Sequence, residues 1–376
     1  MEPMVAFFGD GVPVSVDIPL TMLEETWRRP TKFARKALMF PSFSTTEVFD
    51  SYWRFAAERL AMYYRRLGDP VGPWTDDLIL REYRFTNTFR AADRVSQYLI
   101  REVQYREDRS QAPDEVFFRT MLFKLFNRIE TWERLEQELG PVSWQSARFE
   151  AMSELLDGLI EAGRRVYSAA YIMPSPAFGH RRKHANHLAM LAKMMDDGLP
   201  GSLARASSMH SAYELILDYP GLGPFLAFQY TIDLNYSTLL NFDEGDFVVA
   251  GPGALDGIAK CFKKANSLKS ADIIHAMVER QGEEFARLGL DFMGLFGRRL
   301  QPIDCQNLFC EISKYARVAH PDASGSSGRT RIKQRYQAAD ALAPVSPYFP
   351  PKWKLRSAAP EVSAIARPEP IQLSLF

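Results

Sequence analysis

Apolar side chains recur along most of this chain at helical spacing. Phe118, Met121, Leu122, Leu125 and Ile129 fall at i, i+3, i+4, i+7 and i+11, the stripe of an amphipathic helix, with Asp114 placed to cap its start. Gly140-Pro141 ends that run. The same period predicts helices over 145–167, 184–196, 209–217, 224–236, 253–264, 271–288 and 304–318. No stretch alternates persistently at period two, so any sheet is minor. The expected fold is mainly α. Residues 1–45 read as an irregular arm with a short helix around Thr21–Arg29, residues 46–342 as one helical domain, and 343–376 as a proline-rich tail.

Composition narrows the class. Of 376 residues, 46% are hydrophobic and 24% charged, an ordinary globular balance. Lysine plus arginine and aspartate plus glutamate both total 46, so a nucleic-acid partner must be met by local patches. Arg28–Lys36 and Arg181–His184 are two such patches. Between Arg298 and Arg335, eight basic residues face three acidic ones, a net of +5, although charge runs are often only solvated faces. Three cysteines without a CxxC pair exclude a four-thiolate cluster and a structural zinc site, so neither metal nor cofactor is expected. A reducing, cytoplasmic compartment fits. No apolar run approaches a membrane span.

The most informative segment is Tyr219-Pro-Gly-Leu-Gly-Pro-Phe225. Glycines at 221 and 223 allow a tight turn, and Pro224 suits a first helical position. Backbone N–H groups of such a turn can clasp a phosphate, although the same pattern also serves as a plain helix connector. The segment resembles the helix-hairpin-helix of base-excision DNA glycosylases, near 215–236, and implies a two-lobed helical fold of that kind. Bifunctional members carry a lysine where this chain has Phe225, so the resemblance implies no lyase chemistry there. It also implies a catalytic carboxylate downstream. Asp243, Glu244 and Asp246 are the candidates, Asp246 foremost because it precedes the apolar run Phe247-Val-Val. A carboxylate there would stabilise a sugar cation, and the plain alternative is a solvated acidic loop.

Two polar faces complete the candidate site. Read as one helix, Arg84–Gln97 puts Asn87, Arg90, Arg94 and Gln97 on about a quarter of its circumference, with Asp93 beside them. After Pro302, Asp304 can cap a helix bearing Asn307, Glu311 and Lys314, with Gln306 alongside. Amides and guanidinium forks in such an array suit base edges or phosphates. They suit equally a buried network or surface ion pairs. The strip Arg329, Arg331 and Lys333 would add backbone contacts.

Arg81–Ile100, the hairpin with Gly251-Pro-Gly-Ala, and Asp304–Tyr315 together resemble the helical domain associated with hydroxymethyluracil DNA kinases and amino-acid:DNA transferases. That family is related to the glycosylases and includes a phage-defence enzyme acting on glucosylated hydroxymethylcytosine. The resemblance implies a monofunctional DNA glycosylase that flips and excises a hypermodified pyrimidine from double-stranded phage DNA in antiphage defence. The alternatives are an amino-acid or amine transferase on activated hydroxymethyl pyrimidine, and a non-catalytic, clamp-recruited adaptor. The kinase loop GxxxxGK[ST] is absent from the 376 residues, which sets this chain apart from the kinase itself. The closing Gln372-Leu-Ser-Leu-Phe376 is similar to peptides that dock on the bacterial sliding clamp, with Leu373, Leu375 and Phe376 as apolar anchors.

Overall fold

Helix starts and stops follow the local chemistry of the chain. The computed structural model describes residues 44–169, 173–263, 268–337 and 346–355. The first long helix, α1 (Glu47–Gly68), begins where the Thr46 hydroxyl accepts the Val48 N–H at 3.2 Å. After the short α2 (Leu78–Glu82) the chain runs extended, makes a 3₁₀ turn at Arg90–Ala92, and continues as α3 (Arg94–Tyr98) into a π-helical turn, Leu99–Gln104.

The central helix is α4 (Pro113–Phe126), buried on all sides from Glu115 onward. Ala112 occupies its N-cap and Asp114 its first turn, so the expected Asp114 cap is corrected: Pro113 starts the helix two residues earlier than that cap implies. Asn127, at φ 50°, takes the left-handed conformation and breaks the apolar run before Ile129, which opens a separate helix, α5 (Ile129–Leu139). The helix expected over 145–167 is shorter, α6 (Phe149–Glu161).

The remaining helices are α7 (Lys183–Asp196), α8 (Leu199–Ala204), α9 (Met209–Leu217), α10 (Pro224–Tyr236), α11 (Pro252–Cys261), α12 (Ser270–Arg287) and α13 (Pro302–Ala319). Pairing among the described residues outside helices is confined to three isolated bridges, at Thr45–Phe262, Tyr83–Arg335 and Leu295–Arg298. The fold is mainly α, as expected.

One continuous apolar core joins these elements. Within it α11 packs against α13, where a Cβ on Gly257 would lie 2.0 Å from the Phe309 carbonyl oxygen. Only a residue without a side chain permits that approach. Rings seal α1 to the segment after α12: Trp53 meets Phe285 edge-on at 5.1 Å, and Phe285 stacks on Phe292 at 4.0 Å. No described helix is long and apolar enough to cross a membrane.

Candidate functional site

A tight turn forms where the glycine spacing predicts one. α9 ends at Leu217, Gly221 turns at φ +85°, and Gly223 caps α10 with Pro224 in its first turn. Leu222 is the buried anchor of the turn, while both glycines stay exposed. A Cβ on Gly221 would sit 3.2 Å from Pro176 Cβ, so the turn leans on the loop 174–182. That loop is held from within by Asn186. Its Oδ1 accepts the Phe178 and His180 N–H groups at 3.2 and 3.0 Å, and its Nδ2 donates to the His180 carbonyl at 2.8 Å. The loop presents exposed His180, Arg181 and Arg182, the last paired with Asp157 at 2.9 Å.

The inner face of α10 carries a polar array that the sequence pattern missed. Gln229, Asp233 and Tyr236, at i, i+4 and i+7, all point at Arg90. Arg90 Nε donates to Gln229 Oε1 at 2.9 Å, Nη1 donates to Asp233 Oδ1 at 2.6 Å, and the guanidinium lies 5.6 Å from the Tyr236 ring centre. Lys124 of α4 reaches Asp233 Oδ2 at 3.1 Å and donates to Asn127 Oδ1 at 2.6 Å. Gln104 donates to the Asp233 carbonyl at 2.8 Å. Burial pushes the Asp233 carboxyl up, but Arg90 and Lys124 outweigh it and hold it below the usual carboxylate range. The missed signal was an acid in the middle of an apolar helix, which must find a partner once buried.

The expected helical face over Arg84–Gln97 is not formed. Asn87 lies in extended chain, where its N–H donates to Asp93 Oδ1 at 2.7 Å, and the Arg90 N–H donates to Asp304 Oδ1 at 2.9 Å. Side-chain acceptors thus take donors that a helix would need. The four residues part company. Arg90 is buried; Arg94 is exposed near Glu130; Asn87 accepts from Arg59 Nη2 at 2.9 Å; Gln97 grips the backbone of Tyr348.

The second face is largely inward. Asp304 is not the cap itself but the third residue of α13, paired reciprocally with Gln301 at the N-cap. Gln306 accepts from Gln229 at 3.3 Å and donates to Cys310 Sγ at 3.2 Å. Glu311 accepts the Thr86 N–H and pairs with Lys314 at 2.8 Å, while Asn307 is half-buried. Arg90, Asp304 and Gln306 therefore join one network, whereas Glu311 and Lys314 tie α13 to residues 84–86.

In the acidic loop, Asp243 and Asp246 are exposed. Asp243 Oδ1 accepts the Gly245 N–H at 2.8 Å, a local turn. Glu244 is the buried member, 3.0 Å from Arg298 Nη2. Burial pushes its carboxyl up, against the pull of Arg298 and Lys352. Burial, then the nearby Glu244 charge, carries Asp304 up to about 7, and burial carries Asp93 to about 7 against the Asn87 N–H. Two buried carboxylates, Glu244 and Asp304, thus share one neighbourhood with Arg90 and Arg298. Arg329, Arg331 and Lys333 lie exposed on the strip that pairs with residues 82–84 through Arg84 N and Tyr336 N. A surface depression of about 710 Å³ lies elsewhere, lined by Asp50, Arg280, Glu284 and Arg287 among others, and none of the expected site residues borders it. Gln372, Leu373, Leu375 and Phe376 fall outside the described residues.

With this geometry in hand, the chain was compared with known proteins. The family model described as "5-hmdU DNA kinase, helical domain" matches residues 46–325, well over half the chain. A protein named 5-hmdU DNA kinase from Bacillus phage SP10 is 26% identical over 289 residues, 71% of this chain and 45% of that protein. The chain therefore spans about half the length of that relative. No solved structure matches, so the two-lobed glycosylase-like arrangement has no matched structure behind it. These findings overturn the expectation of a base-excising hydrolase in antiphage defence, because both point to a DNA kinase, a transferase family. The amine-transfer alternative fits only loosely. Neither finding supports a non-catalytic adaptor or a sliding-clamp partner.

Proposed function

Because the chain belongs to the family of 5-hmdU DNA kinase helical domains, we propose that it holds DNA bearing a 5-hydroxymethyl pyrimidine and serves phosphoryl transfer to that hydroxymethyl oxygen. The observation that carries this reading is the match over 46–325, which takes in the hairpin, the Arg90 network and the acidic loop alike.

The geometry offers a division of labour along α10. The exposed turn before it, packed on Pro176 of the loop that leads to Arg181 and Arg182, suits a DNA backbone, which such groups hold without reading sequence. About 9 Å further along the helix, at 1.5 Å per residue, the inner face begins its polar array at Gln229. That array is buried with Arg90 and Asp233, so it fixes the helix that presents the exposed turn and does not itself face the DNA. Transfer itself needs the acceptor oxygen in line with the phosphoryl group and a carboxylate to take the hydroxyl proton as the new O–P bond forms and the bond to the departing nucleoside diphosphate breaks. With GxxxxGK[ST] absent from the sequence, the phosphoryl donor is assigned to a nucleotide-binding segment outside these 376 residues.

The test is a titration of labelled duplexes that differ only in one 5-hydroxymethyl-dU or thymidine, followed by transfer from γ-labelled ATP with a P-loop kinase segment supplied. Preferential binding of the hydroxymethylated duplex and label on the base support the reading. Equal affinity for both duplexes and no label would end it.

A further inference from the structure

The family match stops at residue 325, yet a later segment is docked against the loop that carries Glu244. Ser346–Leu355 is gripped at one end by Gln97, whose Oε1 accepts the Tyr348 N–H at 2.8 Å and whose Nε2 donates to the Tyr348 carbonyl at 3.0 Å. Arg101 donates to the Ser346 carbonyl at 3.2 Å. At the other end Trp353 meets Tyr236 edge-on at 5.4 Å and stacks with Phe349 at 6.2 Å.

Between these anchors Lys352 does something more specific. Its Nζ donates to the carbonyls of Asn235, Ser237 and Leu240 at 2.5, 2.8 and 2.6 Å. An ammonium group has three hydrogens, and here each has an acceptor. The carbonyls belong to the end of α10 and the turn beyond it, which no longer find partners within the helix. Asn235 extends the hold: its side chain accepts the Phe242 N–H at 2.8 Å and donates to the Phe242 carbonyl at 3.0 Å. The far side of the loop is held from the same strap, since Arg298, the partner of Glu244, lies 4.0 Å from the Trp353 ring centre. A single short segment thus braces both edges of the acidic loop.

We propose that Ser346–Leu355 is a positioning strap for the acidic loop 241–246, with Lys352 setting the loop backbone and Trp353 seating the arginine that pairs with Glu244. The strap lies beyond the matched span, and it makes the placement of Glu244 beside Asp304 depend on residues outside that span. The charged groups facing Lys352 are Glu244 and Arg298, and burial lowers the amine to about 8. Loss of one proton leaves two N–H donors for three carbonyls, so the brace weakens on the alkaline side. The strap's effect on DNA rests on the proposed function; its effect on the loop does not.

Hydrogen–deuterium exchange of the full chain, corrected for intrinsic rates, tests this directly. In wild-type protein, protection of peptides covering 235–247 should fall as pH rises from 7 to 9. In Lys352→Met it should be at least tenfold lower at pH 7 and flat with pH, with α4 unchanged in both. Trp353→Ala should loosen the Glu244 end. If Lys352→Met fails to fold, the wild-type pH profile alone decides. Protection in 235–247 that is independent of pH, or unchanged in Lys352→Met, overturns the strap. A wild-type chain that shows this profile but no preference for the hydroxymethylated duplex would sink the functional reading and leave the strap standing.

Discussion

Arg90 and Asp233 meet at 2.6 Å inside the protein, with side chains only 3% and 0% exposed. The contact joins the irregular segment before α3 to the middle of the hairpin helix, 143 residues away in sequence. Lys124 from α4 approaches the same carboxylate, so one acid balances two buried cations. Removing it takes from both buried cations the carboxylate that each of them contacts here.

Asp233→Asn should therefore destabilise the fold by about 3–5 kcal/mol, the usual cost of stranding a buried charge. Urea unfolding at neutral pH measures it. A loss below about 1 kcal/mol would mean that water or relaxation compensates the cations.

Asp304 gives a pH-dependent counterpart. Its folded pKa, about 7, lies above the usual 3.8, so the fold favours the protonated acid. Its contribution is full below pH 4 and is lost as pH rises toward 7, at no more than about 1.4 kcal/mol per pH unit. Buried histidines oppose this in the total curve, since burial lowers His187 to about 4 and its contribution grows as pH rises to 6.5. The difference between wild type and Asp304→Asn isolates the acid: wild type should lose stability relative to the variant between pH 5 and 7. A difference constant over that range would refute the assignment.

Gly257→Ala should be severely destabilising, on the order of 3 kcal/mol or more, because the new methyl would collide with backbone at Phe309 rather than with a movable side chain. Gly282→Ala, inside α12 with nothing within 4 Å of the added Cβ, should instead stabilise by up to about 1 kcal/mol. Thermal melts of the two variants read the contrast. Equal effects would show that the α11–α13 crossing is adaptable.

If the hairpin and its neighbouring loop hold DNA backbone, Arg181→Ala should weaken hydroxymethylated and plain duplexes alike and lower the salt slope of binding by about 1. The same measurement on Arg329→Ala, Arg331→Ala and Lys333→Ala tells whether that exposed strip shares the role. An unchanged slope in Arg181→Ala would move the backbone contact elsewhere.

What the chain determined alone is its local grammar. Helices α7, α9 and α10 follow the period of apolar positions and the glycine and proline signals, because these act within a few residues. The turn at Gly221 was legible for the same reason: an exposed, positive-φ position preceding a proline has few solutions. The site was not legible in that way. Asn87, Arg90, Arg94 and Gln97 share a face only if residues 84–97 are helical. Asp93 and Asp304, the second of them more than 200 residues away, claim the backbone donors and turn Arg90 inward. Asp233, Lys124 and Lys352 could not be singled out by spacing, and Glu244 could not be told from Asp243 and Asp246, since a buried charge is defined by the partner it meets. Periodicity reports which side of an element faces the core; only the assembled fold decides which polar groups are trapped there together.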